Sequence, residues 1–174
     1  VATKISQEKE VRFAALVHDL GKAKTPQNEW PRHIKHEHRG VTIVNALCDR
    51  LRVSSDYREL AVLVTREHLL MHRVAELRPE TVLKLLNRLD GFRRPERLGS
   101  FLTACRADAA GRGDGTIGDY PQQPLLEKYF AAAKAVDLSD LADSPHDGRA
   151  RKKMVEERRL DAIREVHQNH QATC

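Results

Sequence analysis

Apolar residues recur every three or four positions along almost the whole chain, and no stretch alternates apolar and polar residues as a half-buried strand would. This spacing lines one face of an α-helix with apolar side chains. Helices are predicted over residues 8–20, 36–51, 56–71, from 79 onward, 95–110, 125–136 and about 150–167. The sequence therefore predicts an all-α fold with short connections rich in Gly, Pro and Asp.

The chain has 174 residues, which is enough to bury a core without disulfides or a structural metal. We expect one domain over residues 1–140 and a charged C-terminal helical tail over 141–174, packed on or next to it. The cysteines Cys48, Cys105 and Cys174 are widely spaced and include no CxxC pair. This pattern argues against a disulfide framework or a thiolate zinc site and favours a reducing cytoplasm.

The N-terminal residues lack the apolar region of a signal peptide, and no apolar run approaches the ~20 residues of a membrane span. We therefore expect a cytoplasmic location and no membrane partner. The first residue is Val1 rather than an initiator methionine, so we expect the chain to be a piece of a longer protein.

His18 and Asp19 are adjacent at the end of an otherwise apolar predicted helix. An imidazole and a carboxylate near a buried helix end lose hydration energy unless both are paired. A divalent metal ion would satisfy both groups at once. The alternative is a His–Asp pair that closes the helix at the surface.

Further histidines lie in two clusters. Three of them, His33, His36 and His38, fall within six residues, either as metal ligands or as a solvated loop. His68 and His72 are four residues apart on one helical face, and His68 continues an apolar stripe, so we expect it to point inward. The HExxH order of a metalloprotease is absent, which argues against that class.

Asp108 is the acidic residue with the most informative position. It follows Leu98, Phe101 and Cys105 along one helical face, so its carboxylate is expected to be buried or half-buried. An isolated buried carboxylate is unfavourable by several kcal/mol and needs a cation as a partner. That cation is either a metal ion or the guanidinium of Arg106 or Arg112.

Together these residues supply imidazole and carboxylate groups on helices that must pack against one another. Such a nitrogen and oxygen set suits a first-row divalent ion, or Mg²⁺ or Mn²⁺ where carboxylates and water dominate. A metal ion held in this way can activate a bound water and neutralise phosphate oxygens. Lys22, and Arg112 in its glycine-rich loop, could bind the substrate phosphate, although Arg112 could equally be a solvated loop residue.

The segment from His18 to Lys22 resembles the HD phosphohydrolase superfamily, whose pattern is H…HD…D. The resemblance extends beyond that motif, because the chain is similar to the HD domain of gammaproteobacterial CCA-adding enzymes, the tRNA nucleotidyltransferases. It covers roughly residues 10–167. Its most specific stretches are residues 11–22, 30–36, 47–53, 107–112, 119–122 and 151–163.

This resemblance implies the helical bundle of the HD domain. It also implies hydrolysis of 2′,3′-cyclic nucleotides, 2′-nucleotides and other phosphate esters with a divalent metal ion, Mg²⁺ or Ni²⁺, with Mn²⁺ as a third option. The complete enzymes of this family add or repair the CCA end of tRNA. The expected partners are therefore the tRNA 3′ end and small nucleotide phosphates, and a homodimer is left open.

Residue by residue, the resemblance assigns His18 and Asp19 to the HD pair and Asp108 to the distal aspartate. His36 and His68 match histidines that are common near the metal ion. The five side chains form the expected ligand set. Asp19 and Asp108 are expected to act in catalysis together with Lys22, and Lys22 and Arg112 are expected to bind substrate.

The chain departs from the family pattern in two ways. The first histidine of H…HD…D would precede Val1, and Lys35 stands where relatives often have glycine. The first departure affects the expected strength of metal binding. Nucleotide addition needs paired carboxylates in a DxD-like motif, and no DxD occurs in this sequence, so we do not expect this chain to add nucleotides.

Two other functions fit parts of the sequence. The net charge of +5 and the basic residues within 149–153 and at 158–159 favour a tRNA-binding helical module with an inactive HD site. The same helix carries acidic residues, so a solvated or dimerising face is equally compatible with it. A hydrolase of (p)ppGpp or dNTPs would share the HD signature, but the rest of the resemblance favours the tRNA enzyme.

Overall fold

Eight α-helices and no strand make up the regular structure of residues 1–112, 118–141 and 147–173, the parts of the chain that this computed structural model describes. The prediction of an all-α fold is confirmed. The helices are α1 (Ala2–Ile5), α2 (Lys9–Val17), α3 (His36–Leu51), α4 (Ser55–His72), α5 (Pro79–Arg88), α6 (Pro95–Gly111), α7 (Gln122–Lys134) and α8 (Gly148–Thr173). Short 3₁₀ turns occur at Leu20–Lys24, Gln27–Glu29, Val74–Glu76 and Ser139–Leu141.

Most helix positions agree with the sequence pattern, and the differences lie at the ends. The α3 bounds coincide with the predicted ones, α8 is longer at both ends than predicted, and α1 was not predicted. The predicted first long helix ends at Val17 rather than at Leu20, because the chain tightens into a 3₁₀ turn there. The predicted loop and linker include residues 113–117 and 142–146, which lie outside the described residues, as does Cys174.

Helix α4 is the central element of the core and contacts α2, α3, α6 and α7. It is buried on several sides, because Leu60, Leu63, Val64 and Met71 all face other helices. Pro79 and Pro95 each occupy the first turn of a helix, where the missing amide hydrogen costs no hydrogen bond. The core that surrounds α4 includes Val11, Val44, Cys48, Leu86, Phe101, Leu102 and Cys105, so both of these cysteines are buried core residues.

Helix α8 packs across α5 and α7. Ile163 is fully buried in this contact, as is Tyr129 of α7. Most of the remaining α8 side chains are charged or polar and at least partly exposed. None of the described helices combines the length and apolar character that spanning a lipid bilayer would require.

Two glycines bring the turn after α2 into direct contact with α3. A Cβ atom on Gly21 would lie 1.9 Å from the main-chain oxygen of His36 and 2.7 Å from the main-chain nitrogen of Gly40. A Cβ on Gly40 would lie 2.7 Å from the side-chain methyl of Thr65 on α4. Backbone therefore packs against backbone at this point, and Asp19 is held close to the first turn of α3.

Candidate metal centre

Five side chains from four parts of the fold converge where α2, α3, α4 and α6 meet. His18 and Asp19 follow the end of α2, His36 begins α3, His68 lies on α4 and Asp108 lies on α6. The Nε2 atom of His18 lies 3.3 Å from an oxygen of each aspartate. The Nε2 atom of His36 lies 3.1 Å from Asp19 Oδ1 and 3.3 Å from His68 Nε2. All five residues expected as metal ligands are thus brought together.

The imidazoles of His18, His36 and His68 are oriented in the same way. Their Nδ1 atoms lie 2.8–3.1 Å from main-chain carbonyl oxygens three or four residues earlier in the chain. These carbonyls belong to Ala15, His33, Val64 and Thr65. A carbonyl only accepts hydrogen bonds, so each Nδ1 carries the hydrogen. When such a ring carries no second hydrogen, it directs the lone pair of Nε2 toward the centre, as a metal ligand must.

Several polar atoms at this centre lack hydrogen-bond partners among the described residues. His18 Nε2 and Asp19 Oδ1 are both buried without one. The Nε2 lone pairs of His36 and His68 face each other and would repel unless a cation lies between them. Burying such atoms unpaired is costly.

Two groups of three side chains have ligand atoms within 4.8 Å of one another: His18, His68 and Asp108, and Asp19, His36 and His68. These residues therefore fit a divalent metal ion. Their mixture of imidazole and carboxylate groups suits Mg²⁺, Mn²⁺ or Ni²⁺.

The carboxylates set the electrostatics of the centre. Burial would lower the pKa of His18, but Asp108 and Asp19 outweigh it and raise that pKa to about 9. Burial would raise the pKa of Asp108, but contacts with His18, His72 and Arg112 hold it well below its usual range. Burial and the nearby His18 lower the pKa of His68 to about 4. Two ionised aspartates therefore draw positive charge to the centre, supplied either by a protonated His18 or by a bound cation.

A cavity of about 830 Å³ opens above these residues. His18, Asp19, His36 and Asp108 contribute to its lining, which is otherwise a mixture of apolar and basic side chains. The apolar part includes Leu16, which is 77% exposed although the sequence pattern predicted an α2 buried almost all round. The difference arises because this side of α2 borders the cavity. The basic part comprises Arg12, Lys22, Arg32 and Arg112.

The two residues expected to bind phosphate lie at the cavity wall and contact the expected metal ligands. Lys22 Nζ lies 2.5 Å from Asp19 Oδ2, and the Arg112 guanidinium donates to Asp108 Oδ2 at 2.6 Å. The pairing of Asp108 with Arg112, which the sequence left open as the alternative to metal binding, therefore occurs in the structure. Both cationic side chains remain partly exposed, at 40% for Lys22 and 49% for Arg112.

Only one histidine of the 33–38 cluster joins the centre. His33 Nδ1 lies 2.6 Å from the hydroxyl of Thr25, and the side chain of His38 is 68% exposed. The backbone at His33 and at Lys35 has φ values of 48° and 56°, in the left-handed region that residues other than glycine rarely adopt. Both left-handed residues precede His36 and turn the chain into α3, so the ring of His36 faces the centre while His33 and His38 lie outside it.

Sequence reasoning missed two residues next to the centre. His72 Nε2 lies 2.6 Å from Asp108 Oδ2, and the Tyr120 hydroxyl lies 2.9 Å from His72 Nδ1. The four-residue spacing of His68 and His72 indicated that they share a helical face, but it carried no sign of Asp108 as the partner. Tyr120 precedes α7 and is brought in by tertiary packing alone.

The sequence profile of the HD domain matches residues 1–98, which include four of the five converging residues but not Asp108. The chain is 48% identical over 166 residues to the Multifunctional CCA protein of Nitrosococcus oceani, an alignment that covers 95% of this chain and 41% of the relative. It is 55% identical over 132 residues to that of Xanthomonas campestris pv. campestris, covering 76% and 32%. It is 43% identical over 163 residues to that of Vibrio campbellii, covering 94% and 40%. The chain thus spans about two fifths or less of these relatives, and no solved structure matches it.

Proposed function

The chain belongs to the HD domain family, and on that premise we propose that it is a divalent-metal-dependent phosphohydrolase. The observation that carries this proposal is the convergence of five buried or half-buried imidazole and carboxylate side chains at the base of a cavity with a basic wall. An ion pair alone gives no reason for three imidazole Nε2 atoms to face one point, whereas a metal ion does, because each ring can coordinate it through Nε2.

His18, His68 and Asp108 would hold the ion, with Asp19 and His36 either completing its coordination or holding a second one. The carboxylates favour Mg²⁺ or Mn²⁺, and the three imidazoles favour Ni²⁺. When bound, the ion supplies a Lewis acid for phosphate oxygens and lowers the pKa of water.

Asp19 and Asp108 differ in what their oxygens are free to do. Both oxygens of Asp108 accept hydrogen bonds from Arg112, and one accepts from His72 as well. Asp19 Oδ1 has no hydrogen-bond partner among the described residues. Asp19 is therefore the better placed of the two to accept a proton from the attacking water.

Lys22 and Arg112 would bind the phosphate of the substrate. Each contacts a carboxylate with only part of its donor set, and each is partly exposed to the cavity. The ammonium of Lys22 acts as a point charge, whereas the planar guanidinium of Arg112 can contact two phosphate oxygens. Their positive charges also offset the charge that develops on phosphate oxygens during hydrolysis.

The substrates that we assign are 2′,3′-cyclic nucleotides, 2′-nucleotides and related phosphate monoesters. The cavity is within the size range of small-ligand sites and can accommodate a nucleotide. The names of the relatives point to a role at the CCA end of tRNA. On this basis the domain would process the tRNA 3′ end in the cytoplasm, as part of a protein whose nucleotide-adding half lies elsewhere.

Hydrolysis of 2′,3′-cyclic AMP in the presence of Mg²⁺, Mn²⁺ or Ni²⁺ tests this function. We expect metal-dependent product formation that a chelator abolishes, and its loss in Asp19→Asn. Asp161→Asn is the matched control, because Asp161 is exposed on α8, where it pairs with Arg164. Equal rates for Asp19→Asn and the wild type would end the catalytic role of Asp19, and absence of hydrolysis with every metal would end the proposal.

A tRNA-binding role is a second candidate, and the beginning of α8 favours it. Arg149, Arg151, Lys152 and Lys153 are all exposed there, and the first turn contains no acidic residue. Basic side chains at a helix N-terminus oppose the helix dipole, so their presence suggests an anionic partner. Binding driven by these charges should weaken steeply with salt and with Lys152→Gln plus Lys153→Gln. Absence of tRNA binding at low salt would contradict this role.

A further inference from the structure

His72 is oriented differently from the three histidines of the metal centre. Its Nε2 atom lies 2.6 Å from Asp108 Oδ2, and its Nδ1 atom lies 2.9 Å from the hydroxyl of Tyr120. No carbonyl of the preceding helical turn contacts its Nδ1, unlike in His18, His36 and His68. His72 is largely buried, with 12% of its side chain exposed.

These contacts determine which nitrogen of His72 carries the hydrogen. Asp108 Oδ2 already accepts a hydrogen bond from the Arg112 guanidinium at 2.6 Å, as a carboxylate oxygen does, so the His72 Nε2 that faces the same oxygen donates to it. A ring that carries a single hydrogen then has its lone pair on Nδ1, where the Tyr120 hydroxyl lies 2.9 Å away and donates to it. Burial raises the pKa of Tyr120 well above its usual value, so its hydroxyl keeps the proton that it donates.

The protonation pattern of His72 is therefore the reverse of that in the three converging rings. A ring whose lone pair points away from the centre cannot be a ligand there. The hydrogen bond from Tyr120 fixes this pattern, because it holds the Nδ1 lone pair in place. Gln122 strengthens the connection through a 3.4 Å hydrogen bond from its side-chain amide to the His72 carbonyl.

We infer that His72 and Tyr120 are positioning residues, which hold Asp108 through its Oδ2 and leave its Oδ1 turned toward the cation site. Asp108 Oδ1 lies 3.3 Å from His18 Nε2, and among the described residues its other polar contact is with Arg112 Nε at 3.2 Å. This inference rests on the proposed function, since it assumes that a divalent ion binds. The segment that begins α7 thereby contributes to the metal centre although it provides no ligand.

The first readout needs no metal ion and no substrate. Ring ¹⁵N chemical shifts of the metal-free full chain report which nitrogen of each histidine is protonated. We expect the Nε2–H form for His72 and the Nδ1–H form for His68, with a mixture at His72 in Tyr120→Phe. Tyr57→Phe is the matched control, because Tyr57 lies near the other end of α4, and it should leave both rings unchanged. The Nδ1–H form for His72 in the wild type would overturn the inference.

The second readout is the affinity for Mn²⁺ or Ni²⁺ measured by calorimetry. Loss of a residue that orients a ligand costs roughly 10- to 100-fold in metal affinity, so we expect that loss in His72→Leu. Tyr120→Phe should lose less, and His72→Gln, which can still donate to Asp108, should recover most of the affinity. Wild-type affinity in both His72→Leu and Tyr120→Phe would contradict the inference.

The two readouts separate this inference from the proposed function. If the wild type bound neither ion, the proposed function would fail, and the ¹⁵N shifts would still show whether His72 donates to Asp108. If His72→Leu did not fold, as judged by circular dichroism, Tyr120→Phe would decide, because it removes a single hydroxyl group.

Discussion

Two hydrogen-bonded Tyr–His pairs in this molecule have similar geometry, but the second ring nitrogen of each histidine has a different partner. In one, Tyr120 contacts His72 Nδ1 at 2.9 Å and the other ring nitrogen meets the buried carboxylate of Asp108. In the other, Tyr129 of α7 contacts His167 Nδ1 of α8 at 3.0 Å, and the other nitrogen meets the exposed amide of Gln171. The motif is common to both, and only the first connects to charge inside the protein.

The same contrast holds for the two regions as a whole. Around the metal centre, carboxylates and imidazoles are buried together with few competing partners. On α8, charges are more numerous but most are solvated or paired at the surface, as in Arg158 with Asp140 and Arg164 with Glu80. Surface charges cost little to maintain, whereas buried ones need a partner. The placement of charge, and not its amount, therefore distinguishes the functional region.

The largest expected effect separates the two regions by function. His68→Leu should reduce metal-dependent hydrolysis ~10³-fold, because several kcal/mol of metal chemistry are lost with the ligand. In chelator, the stability of this variant should equal or exceed that of the wild type by about 1 kcal/mol, because facing lone pairs are removed from the core. Assays and chemical denaturation measure both quantities.

His167→Leu is the counterpart in the α7–α8 region and should leave hydrolysis within about twofold of the wild type, since ~0.4 kcal/mol corresponds to that factor. Similar losses of hydrolysis in both variants would erase the distinction between the regions. A His68→Leu protein that unfolds without metal would show that His68 is mainly structural.

The next effect concerns backbone packing beside the centre. Gly21→Ala should destabilise the fold by about 3 kcal/mol, because the new methyl group would overlap the His36 carbonyl. Gly99→Ala is the matched control on the exposed face of α6, where nothing lies within 4 Å of the new Cβ. There we expect stabilisation of up to about 1 kcal/mol. Equal denaturation midpoints for the two variants would contradict the close contact.

Backbone strain should give a smaller effect. The described non-glycine residues with positive φ are His33, Lys35, Arg52 and Asp90, so none lies in α7 or α8. Lys35→Gly should stabilise the protein by about 0.5 kcal/mol. The substitution relieves the left-handed backbone strain, and the greater conformational entropy of glycine in the unfolded chain offsets part of that gain. Thermal denaturation measures the gain, and metal affinity should change little. A loss of stability would mean that Lys35 makes contacts worth more than the strain.

The smallest effect is expected for surface ion pairs. Arg158→Ala removes an exposed pair with Asp140, and the melting temperature should fall slightly at low salt and not at all at about 1 M salt. Arg112→Ala removes a partner of the buried Asp108. We expect it to lower the melting temperature more than Arg158→Ala does, and with less dependence on salt. The reverse order would mean that α8 depends on its charges for stability.

Much of the fold and part of the site could be predicted, because the signals are local. The spacing of apolar residues is set by the helix itself, so the bounds of α3 and the first residues of α5 and α6 were predicted correctly. His68 and Asp108 stood out because each continues an apolar stripe, and both are largely buried. Their meeting with His18 followed from helices that must share one core.

What could not be predicted depends on distances between segments. The hydrogen bond from Tyr120 to His72 joins residues 48 positions apart, and no sequence period encodes it. The end of α2 at Val17 depends on the close approach of Gly21 to α3. The contacts of Lys22 and Arg112 with carboxylates, in place of solvent, depend on how the turn and α6 are packed.

The meeting of main chain with main chain at Gly21 has a consequence for how such a domain can diversify. The separation of Asp19 from His36 is set by peptide atoms, whose size no substitution alters. As long as residue 21 remains glycine, mutation can therefore reshape the cavity wall at Leu16 or Arg32 while the spacing of the proposed metal ligands Asp19 and His36 stays unchanged. Substitutions can therefore accumulate on the wall of the cavity, whereas the backbone contact at Gly21 maintains the arrangement of the side chains at its base.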